Sequence, residues 1–282
     1  MNPLQFLTNA HVAIVAGKGG VGKTTVTAVL ARAAIDSGLR VLVVELDGKP
    51  MLASLVGSDI PCLALTPAAA LAEYLDTHGL GRVAKRLATS GVIEVVATAA
   101  PGIDDIVVLG KIKQLELSGN YDLIVVDGPA AGHAITFLMA PANLLKLVRG
   151  GPIHSQAVDV ADLLRDPARS QVILVTLPET TPVNEVIETA HALREEGGLR
   201  LGPVVVNAFD DGDDLPLERA QVDTPLRAAA EFRNARRALH RQEAARLDEA
   251  LDLDQIRLPV VASQSLDHDS IAQLAERLGD QS

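Results

Sequence analysis

The sequence predicts an α/β fold, a doubly wound and mostly parallel sheet with helices on both faces and an added helical layer. Short runs of apolar, β-branched residues alternate with segments of helical periodicity along the chain. The runs lack polar–apolar alternation, as expected of strands buried on both faces. Aromatic residues make up only 2% of the chain, so the core must be built from aliphatic side chains.

Five apolar runs are predicted strands, and a sixth run is a weaker candidate. The five are Val12–Ala16, Val41–Leu46, Leu123–Val126, Val172–Leu177 and Val204–Val206, and the sixth is Ile93–Ala97. Because helical segments separate them, right-handed crossovers should make neighbouring strands parallel.

Helix starts are indicated by a repeated Thr-Pro pair, in which Thr caps the helix and Pro is its first residue. The pairs are Thr66-Pro67, Thr181-Pro182 and Thr224-Pro225. The stretches 66–118 and 133–165 hold more helix than a crossover needs, and we interpret them as the helical layer. With no linker or repeat in view, residues 1–282 are predicted to form a single domain.

Composition excludes several classes of function. The net charge of −11 disfavours a bulk electrostatic interaction with DNA or anionic lipid, so no nucleic-acid partner is expected. The single cysteine, Cys62, excludes a disulfide framework or a cysteine-based cluster within one chain, and we expect it to be a buried apolar residue. No apolar run is long enough to span a membrane and the N-terminus lacks a basic leader, so a cytoplasmic protein is expected.

A phosphate-binding loop is the strongest signal in the chain. The glycine-rich loop directly follows the first predicted strand and directly precedes a helix over Thr24–Asp36, which is the context that G-x-x-x-x-G-K-[ST] requires. Its backbone N–H groups and the helix dipole favour an anion. Lys23 should reach the β- and γ-phosphates of ATP, the Thr24 hydroxyl should hold Mg²⁺, and Thr25 is placed for the α-phosphate. The loop reads Gly17-Lys18-Gly19-Gly20-Val21-Gly22-Lys23-Thr24-Thr25.

Lys18 is not needed to form this loop, and alone it would be read as a solvated charge. KGGVGKTT, however, resembles the deviant P-loop of the arsenite-pump ATPases, the tail-anchored-protein-targeting ATPases, the septum-positioning and plasmid-partition ATPases and the nitrogenase iron protein. The resemblance implies that Lys18 crosses a dimer interface and contacts the partner's nucleotide, where it neutralises transition-state charge as an arginine finger does.

Two carboxylates follow predicted strands. Asp47, after the second strand, is the candidate for orienting the attacking water. Asp127 ends the strand Leu123–Val126 in a Walker-B pattern and should hold Mg²⁺ together with Thr24. Gly128 and Gly132 give the following segment the backbone freedom of a switch loop that responds to the γ-phosphate.

Asn207 ends the strand Val204–Val206. Its amide can face the N6/N7 edge of adenine, but Asn is also a common turn former at a strand end, and both interpretations stay open.

The ordered motifs together are similar to the arsenite-pump and tail-anchored-targeting branch of deviant P-loop ATPases. DGPAAGH (Asp127–His133), VTLPETTPVNE (Val175–Glu185) and VVVN (Val204–Asn207) resemble blocks of that branch. Two segments, Val96–Ile112 and Leu147–Ser170, resemble an actinobacterial subgroup. The resemblance implies an ATP-hydrolysing dimer, paired with itself or with a related ATPase, that handles a protein or hydrophobic client.

The chain departs from better-known members at three points. It has one cysteine where the arsenite pump has several, it lacks a paired-cysteine zinc site, and its first switch reads Asp-Gly-Lys-Pro instead of Asp-Pro-Ala-His. Two alternatives therefore stay open: a positioning or partition ATPase, and a non-hydrolysing regulatory subunit. The arginine-rich stretch 227–246 is interpreted as a solvated helix face, because acidic residues intersperse it.

Overall fold

The computed structural model describes residues 5–46, 51–77, 102–216, 224–261 and 265–280. Within these ranges, seven strands form one parallel sheet in the order β3-β2-β4-β1-β5-β6-β7, which confirms the predicted doubly wound fold. The strands are β1 (Val12–Gly17), β2 (Val41–Glu45), β3 (Cys62–Ala64), β4 (Leu123–Ala130), β5 (Ser170–Thr176), β6 (Leu201–Phe209) and β7 (Gln255–Pro259).

Helices cover both faces of this sheet. The helices described are α1 (Gln5–Asn9), α2 (Lys23–Asp36), α3 (Met51–Val56), α4 (Pro67–Thr77), α5 (Ile103–Leu117), α6 (Ala131–Leu147), α7 (Pro152–Arg165), α8 (Thr180–Glu195), α9 (Thr224–Ala250) and α10 (His268–Asp280). Within the described chain, none of them is both long and apolar enough to cross a membrane.

The core consists of two main layers because alternate residues of each strand point to opposite faces of the sheet. In β1, Ala13 and Val15 pack with α2, α3 and α10, whereas Ile14 packs with helices α4 to α9 on the other face. All the strand residues of β1, β2 and β5 are buried, which explains why their sequences show no polar alternation.

The second face carries additional helix, in the ranges predicted for the helical layer. Helix α5 packs against α4, α6 and α7, and α6 packs against α7. A small separate cluster joins them through Ile106, Ala140, Leu144 and Ala157. The assignment of the whole chain to one domain remains a prediction.

The two edge strands, β3 and β7, were absent from the sequence prediction. Strand β3 has only three residues, and β7 alternates buried Ile256 and Leu258 with the exposed Arg257, so neither forms a continuous apolar run. The weaker strand candidate, Ile93–Ala97, lies outside the described residues.

One of the three Thr-Pro helix starts agrees with the structure, and a second is displaced by one residue. Thr66 caps α4, with its hydroxyl accepting a bond from the Ala69 N–H at 3.3 Å, whereas α9 already begins at Thr224, the predicted cap. The third prediction was wrong by two residues, because α8 begins at Thr180 and its cap position is Glu179. Pro182 is still tolerated there, since the N–H groups of a first helical turn have no partner within the helix.

Two expectations about exposure were also wrong. Cys62 is exposed on the edge strand β3, not buried. The arginine-rich helix α9 is not uniformly solvated, because the Arg237 side chain is only 5% exposed and pairs with Asp210 and Asp214. The two acidic partners lie in the segment after β6, and the sequence alone did not predict that this segment packs against α9.

Candidate nucleotide site

The glycine-rich loop lies between β1 and α2, as predicted, and leaves the start of α2 open. Gly22 occupies the cap position of α2 with a φ of 89°, and no side chain caps the helix. Gly20 also has a positive φ, of 87°. Both conformations favour glycine, and a helix N-terminus at the end of such a loop favours an anion.

Two further glycines permit close backbone approach. A Cβ on Gly17 would lie 2.4 Å from the carbonyl oxygen of Val175 on β5. A Cβ on Gly128 would lie 2.4 Å from the carbonyl oxygen of Val15 on β1. Larger residues at either position would push apart the strands that hold the loop.

Thr24 and Asp127 come together beneath the loop. The Thr24 hydroxyl donates to Asp127 Oδ2 at 2.8 Å, and the Thr27 hydroxyl donates to Oδ1 at 3.3 Å. Asp127 is buried, with 8% of its surface exposed. A hydroxyl and a carboxylate held in contact are hard oxygen ligands of the kind that Mg²⁺ prefers. Thr27 was not predicted, although its spacing of three from Thr24 puts both on one helix face.

Glu45 is a second buried carboxylate that the sequence reasoning missed. It ends β2 and is the register partner of Asp127 on β4, so both side chains leave the sheet on the α2 side. Partial burial raises the pKa of the Cys62 thiol on β3, and the charge of Glu45 raises it further. A carboxylate that ends an apolar strand was the available signal.

No group of three His, Cys, Asp or Glu side chains gathers to form a metal site within the described ranges. A magnesium ion here would therefore depend on Thr24, Asp127, water and ligand phosphates, which is the usual way that proteins hold this ion.

The two lysines of the loop have different partners. The Lys23 ammonium donates to the backbone carbonyl of Lys18 at 3.2 Å. The Lys18 ammonium forms an ion pair with Glu185 on α8 of the same chain. Glu185 was not predicted, because 167 residues separate it from Lys18.

Asn207 contacts the loop directly. Its side-chain nitrogen donates to the carbonyl oxygen of Val21 at 2.9 Å. The next residue, Ala208, has a φ of 53°, and the pairing of β6 with β7 is irregular here. The strand end thus bends beside the loop, and one donor of the amide is used to hold it.

The switch role of Gly128 and Gly132 stays a prediction, and the structure places both residues in regular secondary structure. Strand β4 continues through Gly128 to Ala130, and α6 begins at once at Ala131, so strand and helix join without an intervening loop. Gly132 lies in the first turn of α6, and His133 is exposed there. Asp47, the candidate for orienting water, lies outside the described residues.

Comparison with known proteins agrees with this geometry. Residues 12–237 match the family model described as the CobQ/CobB/MinD/ParA nucleotide binding domain. The chain is 32% identical to ATPase BagA of Mycobacterium tuberculosis, in an alignment that covers 98% of this chain and 94% of BagA.

More distant relatives include two that are longer than this chain. The chain is 29% identical to the arsenical pump-driving ATPase of Escherichia coli, over 92% of this chain but only 43% of that protein. It is 26% identical to ATPase GET3B of Arabidopsis thaliana, over 64% of this chain and 60% of that protein. With the P-loop and the parallel sheet, these matches show that the chain belongs to the CobQ/CobB/MinD/ParA nucleotide-binding family and is similar to ATPases.

Proposed function

We propose that the protein is a cytoplasmic, Mg²⁺-dependent ATPase that works as a nucleotide-clamped dimer and handles a protein or hydrophobic client. The observation that carries this proposal is the contact between Thr24 and Asp127 directly beneath an uncapped helix start. A helix N-terminus, a lysine and a pair of hard oxygen ligands at one point are what a metal–nucleotide phosphate chain requires.

Within one chain, the residues of the loop have distinct roles. The backbone N–H groups of residues 17–25 bind the phosphates, and Lys23 offsets the charge of the β- and γ-phosphates. Thr24 and Asp127 would hold Mg²⁺, which would supply positive charge to stabilise the phosphates. Thr25, in the first turn of α2, is placed for the α-phosphate.

Two residues complete the reaction in this proposal. Asp47 orients the attacking water. Lys18 reaches the nucleotide of a second chain, either an identical copy or a related ATPase, and stabilises the transition state there. The Lys18 side chain is 42% exposed, which supports a role toward a partner.

Asn207 supports the adenine side of the site. One of its N–H groups is bonded to Val21, which leaves the amide oxygen and the second N–H for the base edge. The bent strand end at Ala208 lies next to it. We propose that Asn207 both fixes the loop and contacts adenine.

The client side of the protein is proposed to be the helical layer. An aliphatic cleft of about 460 Å³ lies where the start of α5, the end of α6 and the start of α7 meet. Leu147, on its rim, is 79% exposed. Three helix ends around an aliphatic floor suit an apolar helical segment of a client protein.

Steady-state ATP hydrolysis tests the enzymatic part of the proposal. We expect turnover that requires Mg²⁺, and a loss of at least about a hundredfold in Lys23→Ala and Asp127→Asn, since both remove charge stabilisation from the phosphates. Asp122→Asn, which changes a carboxylate at the start of β4, is the control and should retain turnover. Nucleotide binding without any turnover in the unaltered protein would instead indicate a regulatory, nucleotide-sensing subunit.

A further inference from the structure

We propose that Glu185 is an intrachain latch for Lys18, which holds this lysine away from the partner and so opposes dimer formation. The inference rests on the proposed function, because it assumes that Lys18 acts across a dimer. It adds a residue on α8 that sets the protein concentration at which the ATPase becomes active.

The geometry of the loop carries the first step. Lys18 is held twice within its own chain, at its side chain by Glu185 and at its backbone carbonyl by the Lys23 ammonium. An ammonium paired with α8 of the same chain cannot at the same time reach a nucleotide in a second chain. Each chain must therefore break its own Lys18–Glu185 pair before the lysine can act in trans.

The environment of Glu185 carries the second step. One carboxylate oxygen contacts Lys18, and the other is buried without a hydrogen-bond partner among the described residues. The described residues give Glu185 no other ion pair. When the Lys18 ammonium moves away, the Glu185 carboxylate loses its counter-ion while one of its oxygens stays poorly solvated. Breaking this pair therefore costs more free energy than breaking a fully exposed pair.

The size of the effect follows from exposure and symmetry. The two side chains are 42% and 36% exposed, so one such pair is worth about a two- to fivefold factor. A symmetric dimer breaks two latches, and independent effects multiply. Removal of both should therefore strengthen dimer formation by about tenfold.

Glu185→Gln is the test variant, and Glu188→Gln is its matched control. Glu188 lies one turn away on α8, is exposed and has no ion pair in the described structure, so its change alters net charge equally. ATP hydrolysis is measured against protein concentration for the unaltered protein and both variants, with thermal melts to verify folding. We expect Glu185→Gln to reach half of its maximal turnover at about tenfold lower protein concentration than the unaltered protein, with the maximal turnover unchanged. The midpoint concentration of Glu188→Gln should equal that of the unaltered protein.

Labelling of lysines by an acylating reagent, followed by peptide mass spectrometry, gives a readout that does not depend on turnover. Lys18 should be labelled faster in Glu185→Gln than in the other two proteins, while the exposed Lys146 is labelled equally in all three. Equal midpoints, or a lower plateau without a shift in midpoint, would overturn the latch. Turnover that does not depend on protein concentration in any of the proteins would refute the dimer mechanism itself.

Discussion

Gly22 connects the phosphate loop to the strand end that carries Asn207. A Cβ at this position would lie 2.2 Å from the Asn207 side-chain nitrogen, and the φ of 89° adds strain for any residue other than glycine. The loop conformation and the position of Asn207 therefore both require glycine at position 22.

Substitution of Gly22 by alanine should lower nucleotide affinity by more than tenfold. Positive φ alone costs about 1 kcal/mol, and the contact with Asn207 adds a displacement of the loop. Gly38→Ala is the matched control, because its φ is 86° but no atom lies within 4 Å of a Cβ there. Fluorescent-nucleotide titration and urea unfolding measure both effects.

The double variant Gly22→Ala, Asn207→Ala separates the two causes. Loss of the Asn207 amide removes the clashing atom, so Gly22→Ala should lower affinity less in the Asn207→Ala background than in the unaltered protein. An equal loss in both backgrounds would show that strain in the loop backbone, not the contact, determines the effect of Gly22→Ala.

At the scale of secondary-structure elements, an ion pair connects the starts of the neighbouring strands β2 and β4. Arg40, just before β2, donates from its side chain and backbone to Asp122, just before β4, at 2.7–3.0 Å. The hydrogen bonds from Arg40 lower the pKa of Asp122 to about 2.

This pair should stabilise the fold in a pH-dependent way. A carboxylate whose pKa is depressed on folding contributes stability above its unfolded pKa, near 4, and loses it as the pH falls toward 2. We expect Asp122→Asn to be less stable than the unaltered protein at pH 6, and the difference to shrink between pH 4 and pH 2.5. Urea unfolding at each pH measures the difference in free energy of unfolding between the two proteins. A difference that grows on acidification would contradict a depressed pKa of Asp122.

Helix α9 provides a second prediction at this scale. Arg237 is buried against Asp210 and Asp214, whereas Arg227 is exposed and pairs with Glu231 on its own helix. Arg237→Met should lower the free energy of unfolding by about 2 kcal/mol, since it removes the buried cation between two carboxylates. Asp210 keeps its pair with Arg233, and Asp214 keeps its pair with Arg241. Arg227→Met should change it by less than about 0.5 kcal/mol. Equal effects in chemical denaturation would show that α9 is a uniformly solvated helix after all.

For the whole molecule, the aliphatic cleft at the ends of α5, α6 and α7 makes the client proposal testable. Leu147→Asp should weaken binding of a fluorescent, apolar helical peptide by about tenfold, because burial of one leucine is worth about that much. Leu226→Asp is the control, because Leu226 is 64% exposed but lies on α9. Fluorescence anisotropy measures both, and equal affinities would exclude this cleft as the client site.

The sequence predicts the parts of this molecule that are contiguous or buried on both faces. The central strands are apolar throughout, and the phosphate loop is one unbroken motif, so both could be located before the structure. Edge strands such as Cys62–Ala64 could not be predicted because they are short and partly exposed. The contact of Glu185 with Lys18 could not be predicted, because the two residues are far apart in the sequence. They meet only because β5, which precedes α8, pairs with β1, and such a contact leaves no local sequence pattern.

The central claim, that Lys18 of one chain completes the site of another, is tested most directly by mixing two inactive variants. Lys18→Ala retains its own loop but lacks the crossing lysine, and Asp47→Asn retains Lys18 but lacks the residue proposed to orient water. In a mixed dimer, the site on the Lys18→Ala chain has its own Asp47 and receives Lys18 from its partner.

We therefore expect each variant alone to be nearly inactive and an equal mixture to regain about a quarter of the unaltered turnover, since half of the randomly formed dimers carry one complete site. A mixture as inactive as its components would contradict action across the dimer and would place the role of Lys18 within its own chain.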